Sequence, residues 1–297
     1  MKKIFYIIAL GVGLAGCSNN EDELLSTGSF PEDHVIRIIT EVNEPLSRAG
    51  YDATNLERFG LMIRNSENAA YNYHKQMVGS GSTWSTSDGQ QMLWDAERTP
   101  VTMIAYAPFM SEATPDASLT VNALTNQSTE ENVKSSDFLL MKATVDPEQD
   151  LTPDGKLKIS LNHAMSKLII KITVNGTADA SMNKLGDMAI NGAVVNATCD
   201  LSAAAPVVVP AADAVVATVA PYKGTEFCEC ILPPQKIAEG FSVNFSYDGK
   251  LYIWTAKEAI ELEKGVEHTL TLNVNTTVRL AAKMARNWAT GQLIDRN

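Results

Sequence analysis

Apolar and polar residues alternate with a period of two through most of the chain, and glycine, proline, asparagine and aspartate separate the alternating runs. Successive side chains of a β-strand point to opposite faces, so this period is typical of strands. The pattern predicts strands at residues 35–42, 59–63, 71–78, 101–107, 138–143, 157–174 with a break, 227–232, 241–247, 251–254 and 268–274. Many short strands between frequent turns favour an all-β chain built of sandwiches.

One segment near the end of the chain follows a helical period instead. Leu280, Met284 and Trp288 recur every four residues, and Ala281 and Ala285 lie beside them. This spacing places the three large side chains on one face of a helix. The pattern therefore predicts a short amphipathic helix in the tail.

The best break between domains is the stretch of residues 146–155, which contains two prolines and clustered carboxylates and interrupts the strand pattern. We therefore expect a first sandwich at residues 33–154 and a second at 155–297. The stretch 203–220, rich in alanine and valine, is predicted to be a loop with short strands.

The chain begins with a processing signal. Lys2 and Lys3 precede an apolar stretch that is too short to span a bilayer, and Leu-Ala-Gly-Cys follows at residues 14–17. This order resembles the lipobox of bacterial lipoproteins, which implies cleavage between Gly16 and Cys17 and a lipid on Cys17. The alternative is an ordinary secretory signal with an incidental cysteine.

Residues 17–32 form an acidic tether in this interpretation, since the polar run 18–23 has no side chains that can form a core. An acidic run directly after a lipidated cysteine resembles a signal for transfer to the outer face of the outer membrane. A plain solvated linker is the alternative. We expect a lipid-anchored, surface-exposed protein.

The net charge argues against nucleic acid as a partner. It is −11 for the whole chain and falls to −13 once Lys2 and Lys3 are removed with residues 1–16. Such a chain repels phosphate backbones. The hydrophobic fraction of 45% is sufficient for two cores.

Three cysteines remain after Cys17: Cys199, Cys228 and Cys230. Cys228 and Cys230 are two residues apart and point to the same face of a strand, which places them poorly for pairing with each other. A disulfide from one of them to Cys199 and three buried free thiols are the two possibilities.

No catalytic, metal or cofactor motif stands out. Residues 11–16 match the dinucleotide fingerprint Gly-x-Gly-x-x-Gly, but they lie inside the export signal and follow no strand. The four histidines are scattered singly, so we expect no metal, no cofactor and no enzyme. A hydrolase with paired carboxylates is a rival, since such pairs form in space and not along the chain.

The aromatic residues allow a second rival. Trp84, Trp94, Tyr71, Tyr73 and Tyr106 would form a sugar-stacking platform if exposed, as in a surface glycan-binding lipoprotein. If these side chains alternate into a sandwich core instead, the platform does not exist.

Several local patterns resemble the fimbrillin family of Bacteroidota, the subunits of type V pili. They are Leu-Ser-Arg-Ala at 46–49, Met-Ile-Ala-Tyr-Ala-Pro at 103–108, Asp-Phe-Leu-Leu at 137–140, Leu-Asn-His-Ala-Met-Ser-Lys-Leu at 161–168, Ile-Leu-Pro-Pro-Gln at 231–235 and Leu-Thr-Leu-Asn-Val at 270–274. The resemblance implies two transthyretin-like, Greek-key β-sandwich domains in tandem. It also implies a structural or adhesive subunit of a cell-surface fimbria. The implied partners are other pilus subunits and surface ligands of the host or of bacteria.

In that family, assembly is by strand exchange: the first strand of the lipidated precursor fills a groove, an arginine-specific protease removes it, and an extended strand of another subunit replaces it. The plug strand here is predicted at residues 35–42, with Ile36, Ile38 and Val42 on one face. The predicted cut lies between Arg48 and Ala49, whereas Arg58 and Arg64 lie beside or within predicted strands and are less accessible candidates. The alternative is that Arg48 stays uncut and the protein remains lipidated, as pilus anchors do. Whether the tail donates a strand, and whether the chain is a stalk, tip or anchor subunit, remains open.

Overall fold

The structure, a computed structural model, describes residues 29–43, 50–176, 182–274, 281–284 and 291–295. Within these ranges the chain is nearly all β. The strands are β1 Arg37–Asn43, β2 Arg58–Arg64, β3 Tyr73–Ser80, β4 Thr83–Thr86, β5 Val101–Ala107, β6 Ser118–Asn122, β7 Leu139–Val145, β8 Lys156–His163, β9 Ser166–Val174, β10 Leu185–Val194, β11 Asn196–Asp200, β12 Val208–Pro210, β13 Val216–Val219, β14 Tyr222–Lys223, β15 Cys228–Leu232, β16 Gln235–Ile237, β17 Ser242–Tyr247, β18 Lys250–Ala256, β19 Ile260–Leu262, β20 Glu267–Val274, β21 Ala281–Met284 and β22 Gly291–Asp295. One α-helix, α1 Glu130–Ser135, and the 3₁₀ turns Ala69–Tyr71 and Met182–Lys184 complete the described elements.

The first sheet has seven strands in the order β1-β8-β7-β5-β2-β3-β4. It curls so that its two edge strands approach each other: the Thr40 amide on β1 donates to the Gly81 carbonyl beside β4 at 3.0 Å. Every second side chain of β2, β5 and β8 points to the inside of this curl and is buried there with Trp94 and Met77. The curled sheet therefore encloses a core of its own.

The other face of the same sheet is buried as well. Met62, Ile104, Tyr106 and Leu140 belong to a second, larger core that continues into the rest of the chain. Alternate residues of one strand thus belong to different cores, as the period of two requires.

The second half of the chain packs two five-stranded sheets around that larger core. Their strand orders are β14-β15-β9-β20-β21 and β13-β10-β17-β18-β22, and a three-stranded sheet β12-β11-β6 and the pair β16-β19 adjoin them. β9 and β20 pair in parallel, as β1 and β8 do in the first sheet. The all-β, sandwich-type fold expected from the sequence is confirmed.

The strand pairing corrects the predicted break at residues 154 and 155. β8 begins at Lys156 but belongs to the first sheet, where it pairs with β1 and β7. Residues 146–155 are therefore the connection between β7 and β8 and do not link two domains. β6, from the first half of the chain, pairs instead with β11 of the second half. The division into two domains stays a prediction, but β6 of the first half belongs to a sheet formed with strands of the second half.

The predicted tail helix is wrong for the residues that the structure describes. Ala281–Met284 is strand β21 and pairs antiparallel with β20, opposite Leu270 to Asn273. Pairing with the open edge of β20 determines the conformation of this segment and overrides its helical period. Leu280, Ala285 and Trp288 lie outside the described residues.

The sequence pattern missed β10 for a local reason. Its register with β17 shifts between Leu185 and Met188, and its register with β13 shifts at Gly192, whose φ of 98° favours glycine. The irregularity interrupts the alternation of buried positions, so no clean period of two remains for the strand.

The three described cysteines are free and buried, which excludes the predicted alternative of a disulfide to Cys199. Burial raises the pKa of the Cys199 thiol to about 11 and that of Cys228 to about 12, and it raises the pKa of Cys230 as well. A thiol reacts as its thiolate. We expect a Cys17→Ser chain to show no thiol reaction with an aromatic disulfide reagent at pH 8 until denaturant unfolds it. Reaction of the native chain would contradict this burial.

Candidate assembly site

The candidate site is the first strand and the groove that it fills. β1 lies at the edge of the first sheet and pairs in parallel with β8 over seven residue pairs, from Arg37 opposite Lys156 to Asn43 opposite Asn162. Asn43 adds a side-chain hydrogen bond, since its Nδ2 donates to Asn162 Oδ1 at 2.8 Å. The sequence predicted this strand within two residues at its start and one at its end.

One face of β1 lies in the core of the curled sheet. The side chains of Ile36, Ile38 and Val42 are buried, whereas Arg37 is exposed and Ile39 half-buried. Burying one aliphatic side chain stabilises by about 1.5–3 kcal/mol. The inward face predicted from the sequence therefore matches the burial pattern, and the buried side chains of Ile38 and Val42, with Ile36 directly before the strand, hold β1 in its groove.

The opposite edge of β1 is only sparsely bonded. Ile36 N donates to Met92 O at 2.9 Å, and Trp84 Nε1 donates to Thr40 Oγ1 at 3.1 Å. Between these contacts a cleft of about 350 Å³ separates β1 from β4. A complete strand ladder thus exists on the β8 side alone, so β1 can be lost without breaking any other strand pair.

Two ion pairs lie on the exposed face of β1. Arg37 binds Asp33 at 2.5 Å and holds the pKa of that carboxyl at about 2, and Lys158 of β8 binds Glu41 at 2.8 Å. Ion pairs this exposed contribute little to stability, because water screens them. The buried face therefore dominates the attachment of β1.

The chain after β1 is anchored at Tyr51. Its amide donates to Asp137 Oδ2 at 3.0 Å, and His163 Nδ1 lies 2.9 Å from the same oxygen. A Cβ at Gly50 would lie 3.1 Å from that oxygen, so the backbone approaches the buried carboxylate closely. The predicted cut at Arg48 and Ala49 lies outside the described residues, between the end of β1 and this anchor.

Two further predictions also fall outside the described residues. They are the signal cleavage at Gly16 and the lipidation of Cys17. Within the described part of the chain, none of the helices has the length and apolar character that crossing a bilayer requires.

The burial of two aromatic residues bears on one of the predicted rivals, the sugar-stacking platform. Trp94 and Tyr106 are buried in cores, so they cannot serve the sugar-stacking platform considered from the sequence. Where the structure describes the chain, it groups no three His, Cys, Asp or Glu side chains that could hold a metal ion. Sequence reasoning missed the anchor at Asp137, which only the fold brings next to Tyr51 and His163.

Two comparisons identify relatives of this chain. The family model described as fimbrillin-like matches residues 47–287. A candidate cell adhesion protein from Bacteroides uniformis is similar in structure, with a TM-score of 0.62, 16% identity and coverage of 86% of this chain and 98% of that one. A second one, from Bacteroides ovatus, gives a TM-score of 0.64 at 16% identity, covering 86% of this chain and 97% of that one.

The tip fimbrial protein Mfa3 from Porphyromonas gingivalis also matches, with a TM-score of 0.47 and 9% identity, covering 88% of this chain and 99% of that one. No curated protein sequence matches the chain. The two Bacteroides structures support the fold, and the family model spans well over half of the sequence. The chain therefore belongs to the fimbrillin-like family.

Proposed function

We propose that this protein is a structural or adhesive subunit of a cell-surface fimbria, without enzymatic turnover. It reaches the outer membrane as a lipoprotein and joins other subunits by strand exchange once β1 has been removed. The single observation that carries the proposal is β1 itself: an edge strand before the predicted cut, which buries Ile38 and Val42 and forms its strand ladder with β8.

Family membership supports this role. The matched family is fimbrillin-like, and the two similar Bacteroides structures are candidate cell adhesion proteins. Cys17, with Leu-Ala-Gly before it, supports export as a lipoprotein cut between Gly16 and Cys17. Other pilus subunits and the outer membrane are the expected partners, and the acidic chain is not expected to bind nucleic acid.

Removal of β1 would expose an edge that needs a partner. The backbone groups of β8 that now pair with residues 37–43 would lose their hydrogen bonds, and the apolar groove under Ile36 and Ile38 would face water. An open, apolar sheet edge pairs readily with another chain. A donor strand with apolar residues at alternate positions would satisfy both needs.

The tail of a neighbouring copy is one such donor. Val278, Leu280, Ala282 and Met284 alternate along the sequence, and β21 has the extended backbone that a donor needs. Among the described strands, β21 and β22 lie at the edges of their sheets, each with one paired neighbour. Such strands can be exchanged without disrupting the interior of a sheet.

Treatment of the purified precursor with an arginine-specific protease tests the proposal. We expect a product that begins at Ala49 by intact mass and a ladder of higher oligomers by size-exclusion chromatography. Arg48→Lys keeps the charge but removes the cleavage site, so that variant should remain monomeric. Arg64→Lys is the matched control, because it removes an arginine at the end of β2 and should assemble normally.

Two results would contradict the proposal. One is a protein from native outer membranes that keeps its lipid on Cys17, keeps residues 17–48 and never oligomerises. The other is equal assembly of the Arg48→Lys variant under protease treatment. Intact mass of the membrane-derived protein distinguishes the lipidated from the processed form.

A further inference from the structure

A polar pocket of about 560 Å³ lies where β1, β7 and β8 meet the turn that precedes β20. Small-molecule sites commonly have volumes of roughly 300–1,000 Å³. The residues that carry the argument are Asn43, Lys142, Asn162, His163 and Lys264. The pocket is separate from the cleft between β1 and β4.

The charge of the pocket is opposite to that of the protein. Two lysines and no aspartate or glutamate line it, although the chain carries a net charge of −11. Lys142 Nζ is held in place, since it donates to the carbonyls of Leu201 at 2.7 Å and Ala203 at 2.9 Å. Lys264 is exposed and forms no ion pair with the described residues. The pocket therefore favours an anionic ligand with Lys264 as its free cation.

The neutral groups of the pocket favour hydroxyl groups. The His163 side chain is only 9% exposed, and its Nε2 has no hydrogen-bond partner among the described residues. In the neutral imidazole with Nδ1 donating to Asp137, Nε2 carries a lone pair that accepts a hydrogen bond. Asn43 donates through Nδ2 to Asn162, which leaves its amide oxygen as a second acceptor. Both acceptors require a donor, and a carboxylate alone has none.

From these contacts we propose that the pocket binds an acidic sugar residue, a uronic acid at the end of a glycan. The sugar carboxylate pairs with Lys264, and ring hydroxyls donate to His163 Nε2 and Asn43 Oδ1. A sugar acid carries hydroxyl donors on the same rigid ring as its carboxylate, whereas a carboxylate ligand without such donors would leave the buried His163 Nε2 unpaired, which costs binding free energy. Because Asn43 belongs to β1, the site is complete only while β1 is in place.

Isothermal titration of the full, uncut chain with trigalacturonic acid tests this proposal. We expect saturable binding that weakens with salt, and at least tenfold weaker binding to Lys264→Glu. Lys257→Glu is the matched control, because Lys257 is also exposed and in the same half of the chain but outside the pocket, so its affinity should be unchanged. Asn43→Asp, which places a carboxylate in the pocket, should also weaken binding at least tenfold.

Four outcomes would overturn the proposal. They are no binding of trigalacturonic acid, equal binding of the neutral galactose trimer, equal binding of triglutamate, and equal affinity of wild type and Lys264→Glu. Both substituted positions are exposed, so a lost interaction in either variant is not expected to reflect a failure to fold. Circular dichroism of each variant verifies this.

Discussion

Replacing Lys167 by methionine should lower the free energy of unfolding by about 3–5 kcal/mol, because the change leaves a buried carboxylate without its cation. Lys167 Nζ lies 2.7 Å from Glu229 Oε2, and the two side chains are 6% and 2% exposed. They lie on the adjacent strands β9 and β15, within the fold. Denaturant unfolding followed by tryptophan fluorescence measures the loss.

The loss should depend on pH. Burial raises the pKa of Glu229 above its ordinary value of 4.5, and Lys167 offsets part of that rise. Without Lys167 the pKa rises further. A carboxyl with a raised folded-state pKa contributes stability below its unfolded pKa and loses that contribution as pH increases through the folded pKa. The stability of the variant should therefore be closest to that of the wild type near pH 4, and the difference should be largest above neutrality.

Two further variants separate this explanation from a general packing defect. Lys167→Met combined with Glu229→Leu removes both charges and should recover most of the stability. Lys158→Met breaks the exposed pair with Glu41 and should cost at most about 1 kcal/mol. A double variant as unstable as Lys167→Met, or a deficit independent of pH, would show that the buried charge is not the cause.

The second large effect is expected at Ile38. Ile38→Ala should cost about 2–5 kcal/mol, because it opens a cavity in the core of the curled sheet, where Ile38 is 3% exposed. If the protein is cut after Arg48, β1 should also dissociate at least about 30-fold faster, since each 1.4 kcal/mol is a factor of ten. Mass spectrometry of the cut protein after gel filtration measures the retained strand.

Ile39→Ala is the control for this prediction. It is the same substitution on the next residue of β1, but its side chain is only half-buried on the opposite face. We expect a loss of less than about 1 kcal/mol and an unchanged rate of strand release. Equal effects at both positions would mean that the buried face of β1 does not determine its attachment.

The sequence predicted those strands whose alternation is regular. β5 was predicted at its observed bounds, and β2 and β20 within one residue at each end. β20 buries every second side chain, and β2 and β5 bury side chains on both of their faces, so each strand has a clear apolar pattern. β10 was missed because a register shift at Gly192 interrupts its period. The helix predicted in the tail was wrong. Its spacing of four suits a helix, but the open edge of β20 offers backbone hydrogen-bond partners to an extended chain.

The candidate site divides in the same way. The inward face of β1 could be predicted from Ile36, Ile38 and Val42, because the alternation is local. The groove could not, because it consists of strands far apart in sequence, and neither could the buried contacts of Asp137 with Tyr51 and His163. Ionic partners and pockets depend on which strands become neighbours, and strand order is not a local property.

The sequence by itself determined the all-β class, the apolar face of the first strand, the acidic charge and the resemblance to fimbrillins, because each follows from local pattern or composition. Only the tertiary structure decided that β8 belongs to the first sheet, that β6 crosses to the second half, and that three cysteines are buried without pairing. These features arise from packing between distant segments. The free energy of burying two cores, and not the intrinsic preference of any one segment, selects them.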